Sequence, residues 1–143
     1  MVISTKGRYA LRVMVDLASC EDGKYVPLKD ISQRQEISQK YLEAIMSTLS
    51  KAGLVDAMHG KGGGYKLNRD PADYQVIEIL QLTEKSLAPV ACLADDAEPC
   101  SRAENCKTLP MWKQLNEVIG DFFGGISVAD LANGYAPEIL EEE

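Results

Sequence analysis

No segment of this chain approaches the roughly 20 consecutive apolar residues needed to cross a bilayer. Its opening, MVISTKGRYAL, also lacks the uninterrupted apolar run of a signal peptide. The expectation is a cytoplasmic protein with no membrane partner. There is no CxxC pair, no nucleophile set beside a base and no paired acid constellation, so nothing in the chain points to an enzyme or an electron carrier. Glycines cluster once, in HGKGGG, but the order GxxxxGK[ST] is missing and no helical pattern follows, which argues against a P-loop. Histidine occurs once, as His59, 33 positions before the first clustered cysteine, a poor placement for a shared metal site.

Positive charge is also scarce, with 15 Lys and Arg against 22 Asp and Glu and a net charge of -7. That average hides two unlike halves. Residues 1–70 carry 11 basic and 8 acidic residues, net +3, whereas residues 71–143 carry 4 basic and 14 acidic, net -10. Only the first half suits a polyanion, and the acidic half, which ends in EILEEE, should project away from it.

With 45% hydrophobic residues over 143 positions, the chain suits one globular domain, or a compact domain carrying a long dimerisation element. Ala10, Val13, Met14, Leu17 and Ala18 recur at helical spacing, predicting a first helix from about Lys6 to Cys20, with Cys20 packing as a small hydrophobe. EDGK reads as a turn and YVP as a short extended piece. LKDISQRQ is a second helix with Leu28 and Ile31 inward, and a tight break falls at Glu36 and Ile37. Ser38 is an N-cap for QKYLEAIMSTLSKAG, whose Leu42, Ile45, Met46 and Leu49 form one face and whose Gly53 stops it. LVDAM and YKL are strand candidates around the glycine loop, which together make a wing. VIEILQL is a fourth helix. Pro110 suits the first position of a long last helix, in which Trp112, Leu115, Ile119 and Phe122 form an apolar seam able to pair with a second copy. Ser127 and Asp130 cap a short terminal helix, VADLAN.

A helix, short turn and helix place the second helix in the major groove of a DNA duplex. Ser38, Gln39, Lys40, Tyr41 and Glu43 are therefore the candidate reading surface. Gln39 suits adenine, Ser38 several base edges and Glu43 the cytosine amino group, while Lys40 and Tyr41 suit the backbone, with packing beside Leu42 an equal use for Tyr41. Lys6, Arg8 and Arg12 along the first helix, with His59 and Lys61 in the wing, are candidate phosphate or minor-groove contacts.

Cys92, Cys100 and Cys106 are separated by seven and five residues, a spacing of neither the common zinc pairs nor the compact ferredoxin run. In a reducing compartment they read as metal ligands or redox groups, or as incidental residues of an exposed loop.

STKGRYALRVMVDLA, VPLKDISQRQEISQKYLEAIMSTLSKAGLV and GKGGGYKL together resemble the winged-helix transcription regulators typified by the iron-sulfur cluster regulator IscR and the nitric-oxide regulator NsrR. The resemblance runs nearly end to end. It implies a mostly helical fold with a small β-wing: a winged helix-turn-helix over residues 1–84, a cysteine loop over 85–108, and a long dimerisation helix with a short terminal helix over 109–143. It further implies a homodimeric repressor on a near-palindromic operator, with an iron-sulfur cluster on Cys92, Cys100 and Cys106, two-iron in preference to four-iron. Two positions depart from it. Leu109 stands where some IscR-type relatives place a histidine ligand, and Arg8 where some NsrR-type relatives place an aspartate, so the fourth ligand is open among Asp95, Asp96, Glu98, Glu104 and a small thiol from solution. His59 replaces the arginine usual in IscR-type wings. A cluster-free regulator of cysteine metabolism acting through a protein partner, and the same fold with a structural zinc, are the alternatives.

Overall fold

The computed structural model describes residues 1–21 and 23–137; Asp22 of the EDGK turn and the acidic EILEEE end lie outside the described residues. The fold is mostly helical with one two-stranded antiparallel wing, as the patterning predicts. Helix α1 spans Thr5–Ala18 and buries Ala10, Val13 and Met14 completely. It starts at Ser4, whose hydroxyl accepts the Gly7 N–H at 3.0 Å. It ends two residues before the expected Cys20. The reason is local: the Ser19 hydroxyl donates to the Val15 carbonyl at 2.9 Å and the Cys20 thiol to that of Asp16 at 3.2 Å, so side chains occupy the last acceptors of the helix.

Helix α2 (Leu28–Gln35) stops where Glu36 takes a left-handed backbone, φ 55°, the one such non-glycine residue among those described. Ile37 is buried beneath this turn. Ser38 then caps α3 (Gln39–Lys51), accepting the Tyr41 N–H at 3.2 Å, and Gly53 at φ 78° follows its end. Strand β1 (Val55–Met58) pairs with β2 (Gly64–Leu67) from Val55 opposite Leu67 to Met58 opposite Gly64. The YVP piece completes the wing base, because Val26 and Tyr65 exchange main-chain hydrogen bonds at 2.8 and 2.9 Å. Behind it the buried Tyr74 hydroxyl donates to the Leu54 carbonyl at 2.7 Å and accepts the Asn68 and Arg69 N–H groups at 3.0 and 3.1 Å.

Helix α4 (Val76–Thr83) leads through a long irregular segment, broken by one 3-10 turn at Ala91–Leu93, to α5 (Leu109–Gly124). Pro110 takes the second helical position rather than the first, because the helix already begins at Leu109. The chain then returns to the core. Val76 donates to Ile126 and Val128 to Tyr74, both at 2.9 Å, and α6 (Val128–Ala132), closed by a reciprocal Ser127–Asp130 capping box, inserts a fully buried Val128 against α1.

One carboxylate lies inside this core. Asp16 is 7% exposed, and its oxygens accept from Arg34 at 3.0 and 2.7 Å and from Gln35 at 2.8 Å. Burial pushes its pKa up, but the Arg34 and Gln35 donors outweigh that and hold it below the ordinary aspartate value. A depressed folded value means that Asp16 stabilises the fold fully above about pH 4 and loses that contribution as pH falls through the folded value. Asp16→Asn should therefore lower the urea midpoint at pH 7, and the gap between wild-type and variant midpoints should narrow progressively as pH falls below about 4. Glu84, also held low by Ser4 against the cost of burial, should keep some acid sensitivity in both proteins.

Candidate nucleic-acid interface and cysteine loop

Leu42, Ile45, Met46 and Leu49 turn one side of α3 into the core, which forces Gln39, Lys40, Glu43 and Ser47 outward. All four are exposed, as is Ser38. Because the Ser38 oxygen accepts a backbone N–H, its hydroxyl proton is left to donate outward. Tyr41 is 37% exposed and does not pack on Leu42 alone: its ring meets Tyr9 of α1 edge-on, with centroids 5.6 Å apart. That contact sets the first turns of α1 and α3 side by side. Lys6 is half-buried in the first turn of α1, and Arg8 is exposed beside it, donating to the Thr5 hydroxyl at 3.3 Å.

Arg12, grouped by its sequence position with the candidate phosphate contacts, is exposed and also bonded within the molecule. Its guanidinium donates to the Gln35 main-chain and side-chain oxygens and lies 5.0 Å over the Tyr9 ring. The signal was absent from the local pattern, since its partner stands 23 residues away.

His59 and Lys61 are exposed at the wing tip. Gly60 and Gly62 flank Lys61 with φ of 90° and 78°, the left-handed region that admits glycine without strain. Gly63 and Gly64 have a different role. A Cβ on Gly63 would sit 2.2 Å from the Met58 carbonyl oxygen, and one on Gly64 would sit 2.1 Å from that of Val26. The glycine run is thus a requirement of the hairpin that presents Lys61.

The three clustered cysteines all lie in or beside the segment joining α4 to α5, and none is in a disulfide. Cys92 and Cys100 are exposed, and Cys106 is half-buried two residues before the Thr108 cap of α5. The Thr108 hydroxyl, 3.4 Å from the Cys106 sulfur, and the Thr108 and Leu109 N–H groups at the helix start draw its pKa below the usual thiol value. Among the described residues no three His, Cys, Asp or Glu side chains converge as a metal site. The donor chemistry nonetheless fits a thiolate-held cluster: three unpaired thiols on an irregular segment, one of them biased toward the thiolate.

Helix α5 buries none of its 16 residues. Met111, Leu115, Val118 and Phe122 are 52%, 38%, 55% and 53% exposed, an apolar stripe at spacings of 4, 3 and 4. Of the expected seam, Leu115 and Phe122 lie on this stripe. Trp112 and Ile119 are half-buried, and Ile119 faces α4, lining with Ile77 a cleft of about 350 Å³. Met111 and Val118 add exposed apolar surface that the spacing alone did not single out, because the pattern does not say which side of α5 faces α4. No helix among the described residues is long and apolar enough to cross a membrane.

Residues 3–134 match the Rrf2 family, described as an iron-dependent transcriptional regulator. The chain belongs to the Rrf2 family. This Rrf2 regulator is 40% identical over 141 residues to the HTH-type transcriptional regulator IscR of Xenorhabdus nematophila, spanning 99% of this chain and 84% of that protein. IscR of Photorhabdus laumondii is 38% identical with the same coverage. Among solved structures it resembles CymR, the global cysteine regulator of B. subtilis, with a TM-score of 0.76 and 33% identity over 93% of this chain and 97% of that one. IscR of T. potens matches with a TM-score of 0.71 and 33% identity over 93% and 87% of the two chains. The Rrf2 chain is a DNA-binding transcriptional regulator of the IscR type, with the winged-helix fold of its relatives.

The wing geometry of this Rrf2 protein has a direct test. Gly64→Ala forces a methyl group into the Val26 carbonyl, so the strand must shift, at a cost of about 2 kcal/mol or more. Hydrogen exchange should show the Val26 and Tyr65 amides losing protection while the α1 amides keep theirs. Retained protection at both wing amides would refute the steric requirement.

Proposed function

We propose that this regulator is a homodimeric repressor whose operator binding responds to an iron-sulfur cluster on Cys92, Cys100 and Cys106, two-iron in preference to four-iron. Ser38, Gln39, Lys40, Tyr41 and Glu43 present the first turn of α3 to base edges, and Lys6, Arg8, His59 and Lys61 supply phosphate or minor-groove contacts. Operators are near-palindromic, since a two-fold dimer presents two equivalent recognition helices. Iron-sulfur assembly genes, or related iron, sulfur and redox stress genes, are the regulated class.

The observation that carries this reading is the set of three unpaired thiols on the one segment that joins the winged helix to α5. A cluster bound there supplies redox and ligand-exchange chemistry that DNA-binding side chains lack. The protein's part is to furnish thiolates, with Cys106 already biased toward that form, and to leave one ligand position to the exposed carboxylates of Asp95, Asp96, Glu98 or Glu104, or to a thiol from solution.

Anaerobically purified protein is expected to be brown, with iron and sulfide present and zinc absent. Alanine at Cys92, Cys100 or Cys106 should each remove the visible absorption, and Cys20→Ala should leave it, because the Cys20 thiol is bonded to Asp16 and far along the chain from the segment. Colourless wild-type protein with stoichiometric zinc would instead establish the structural-zinc alternative.

The dimer rests on the uncovered stripe of α5. Covering the exposed half of each of its four side chains is worth about 1 kcal/mol apiece per protomer. Leu115→Glu together with Val118→Glu should give monomers by sedimentation and abolish tight operator binding. Ile119→Glu, aimed at the α4 side, should lower the thermal midpoint more than it shifts the oligomeric state. A dimer that survives the double change places the interface elsewhere.

A further inference from the structure

Arg12 is exposed on α1 in the basic half of the chain, and its guanidinium lies along the surface against the end of α2. Nε donates to Gln35 Oε1 at 3.2 Å, and Nη2 donates to the Gln35 main-chain oxygen. The Gln35 amide is held at both ends, because its Nε2 donates to Asp16 Oδ2 at 2.8 Å. Asp16 is itself locked by two bonds from Arg34 at 3.0 and 2.7 Å. These directional bonds run in sequence, as a relay, from Arg12 through Gln35 to Asp16 and Arg34, so they favour one pose of the end of α2 relative to α1.

A second tie leaves the same guanidinium. It covers the Tyr9 ring at 5.0 Å, and Tyr9 meets Tyr41 edge-on at an interplanar angle of 85°. Gln35 is the last residue of α2, Glu36 makes the left-handed turn, Ser38 caps α3 and Tyr41 lies on its first exposed turn. The two ties therefore grip the turn from both sides, the hydrogen bonds at the end of α2 and the aromatic contact at the start of α3.

We infer that Arg12 is a specificity-positioning residue: through Gln35 and Tyr9 it fixes the α2–α3 turn so that the first turn of α3 meets base edges in one register. Base reading depends on bond geometry, whereas phosphate attraction tolerates displacement. Loosening the turn thus costs discrimination between sequences before it costs overall attraction. The inference rests on α3 being the reading helix.

The test is in vitro site selection and salt titration of operator binding by the full chain, comparing wild type with Arg12→Lys, Arg12→Ala, Gln35→Leu and the Arg12→Ala/Gln35→Leu double variant. Lys61→Ala serves as the phosphate control and Glu43→Ala as the base-reading control. Arg12→Lys keeps the charge without the two-point grip, and Gln35→Leu keeps Arg12 itself and the Arg34–Asp16 pair. Both are expected to reduce the penalty for a single mismatched base pair by roughly fivefold or more, with the salt slope unchanged. The double variant should be no worse than either single one, because both cut the same relay. Lys61→Ala should flatten the slope by about one unit with preference intact. If Arg12→Ala flattens the slope in the same way while Gln35→Leu keeps wild-type preference, Arg12 is a phosphate contact and the inference fails. Unchanged preference in Arg12→Lys and Gln35→Leu, with Glu43→Ala altering it, overturns the relay alone. Unchanged preference in all three overturns both the relay and α3 as the reading helix. Should Arg12→Ala prove unfolded by circular dichroism, Arg12→Lys and Gln35→Leu decide the question.

Discussion

Ala10, Val13 and Met14 have no exposed surface because α2, α3, α4, α6 and β2 all pack on α1. A single helix thereby serves as the common partner of α3, the wing and the returning C-terminal segment. This is an economical answer to a small core: each apolar group on α1 excludes water from more than one neighbour. It also means that α3 and the wing have no independent reference frame. Their relative positions are set by how each sits on α1, which makes the polar relay around Asp16 more than an ornament of the interior. Nondirectional packing leaves a helix free to slide or rotate by small amounts, and the directional bonds from Arg34, Gln35 and Arg12 remove that freedom where α2 turns into α3.

Much of this architecture was readable from local chemistry. The Ser38 cap, the Gly53 stop and the Ser127–Asp130 capping box depend on residues within a few positions of one another, and all three appear as the sequence implies. Motifs spread over the first 70 residues carried the family resemblance. What escaped depends on partners distant in sequence. The pairing of Arg12 with Gln35, of Tyr74 with Leu54 and of Glu84 with Ser4 joins positions 23, 20 and 80 apart, beyond any periodicity argument. The stripe on α5 is a different case. Helical spacing permits overlapping apolar seams on one helix, and only the contact with α4 shows that Ile119 turns toward the domain while Met111 and Val118 turn away.

The charge asymmetry acquires a physical sense from the same geometry. The basic residues of the first half include Lys61, held out on a wing where Gly63 and Gly64 leave no room for a side chain, and Arg8, on the opening turns of α1. Asp95, Asp96, Glu98 and Glu104 are exposed on the segment between α4 and α5. Segregating the two signs lets a chain of net charge -7 present a cationic surface locally, since at physiological ionic strength charges separated by more than about 8 Å are largely screened from one another.

The anchoring of α5 is unequal at its two ends. Its carboxyl end is fastened within a few residues by the Val76–Ile126 hydrogen bond and the buried Val128, while its amino end follows directly from the segment bearing Cys106. A rod held at one end converts sideways displacement of the other into tilt. Sixteen helical residues make a lever of about 24 Å, so a shift of about 2 Å at the Cys106 end corresponds to a rotation of about 5°. The apolar stripe runs along that lever, and its residues would move in proportion to their distance from the pivot, Met111 most and Phe122 least.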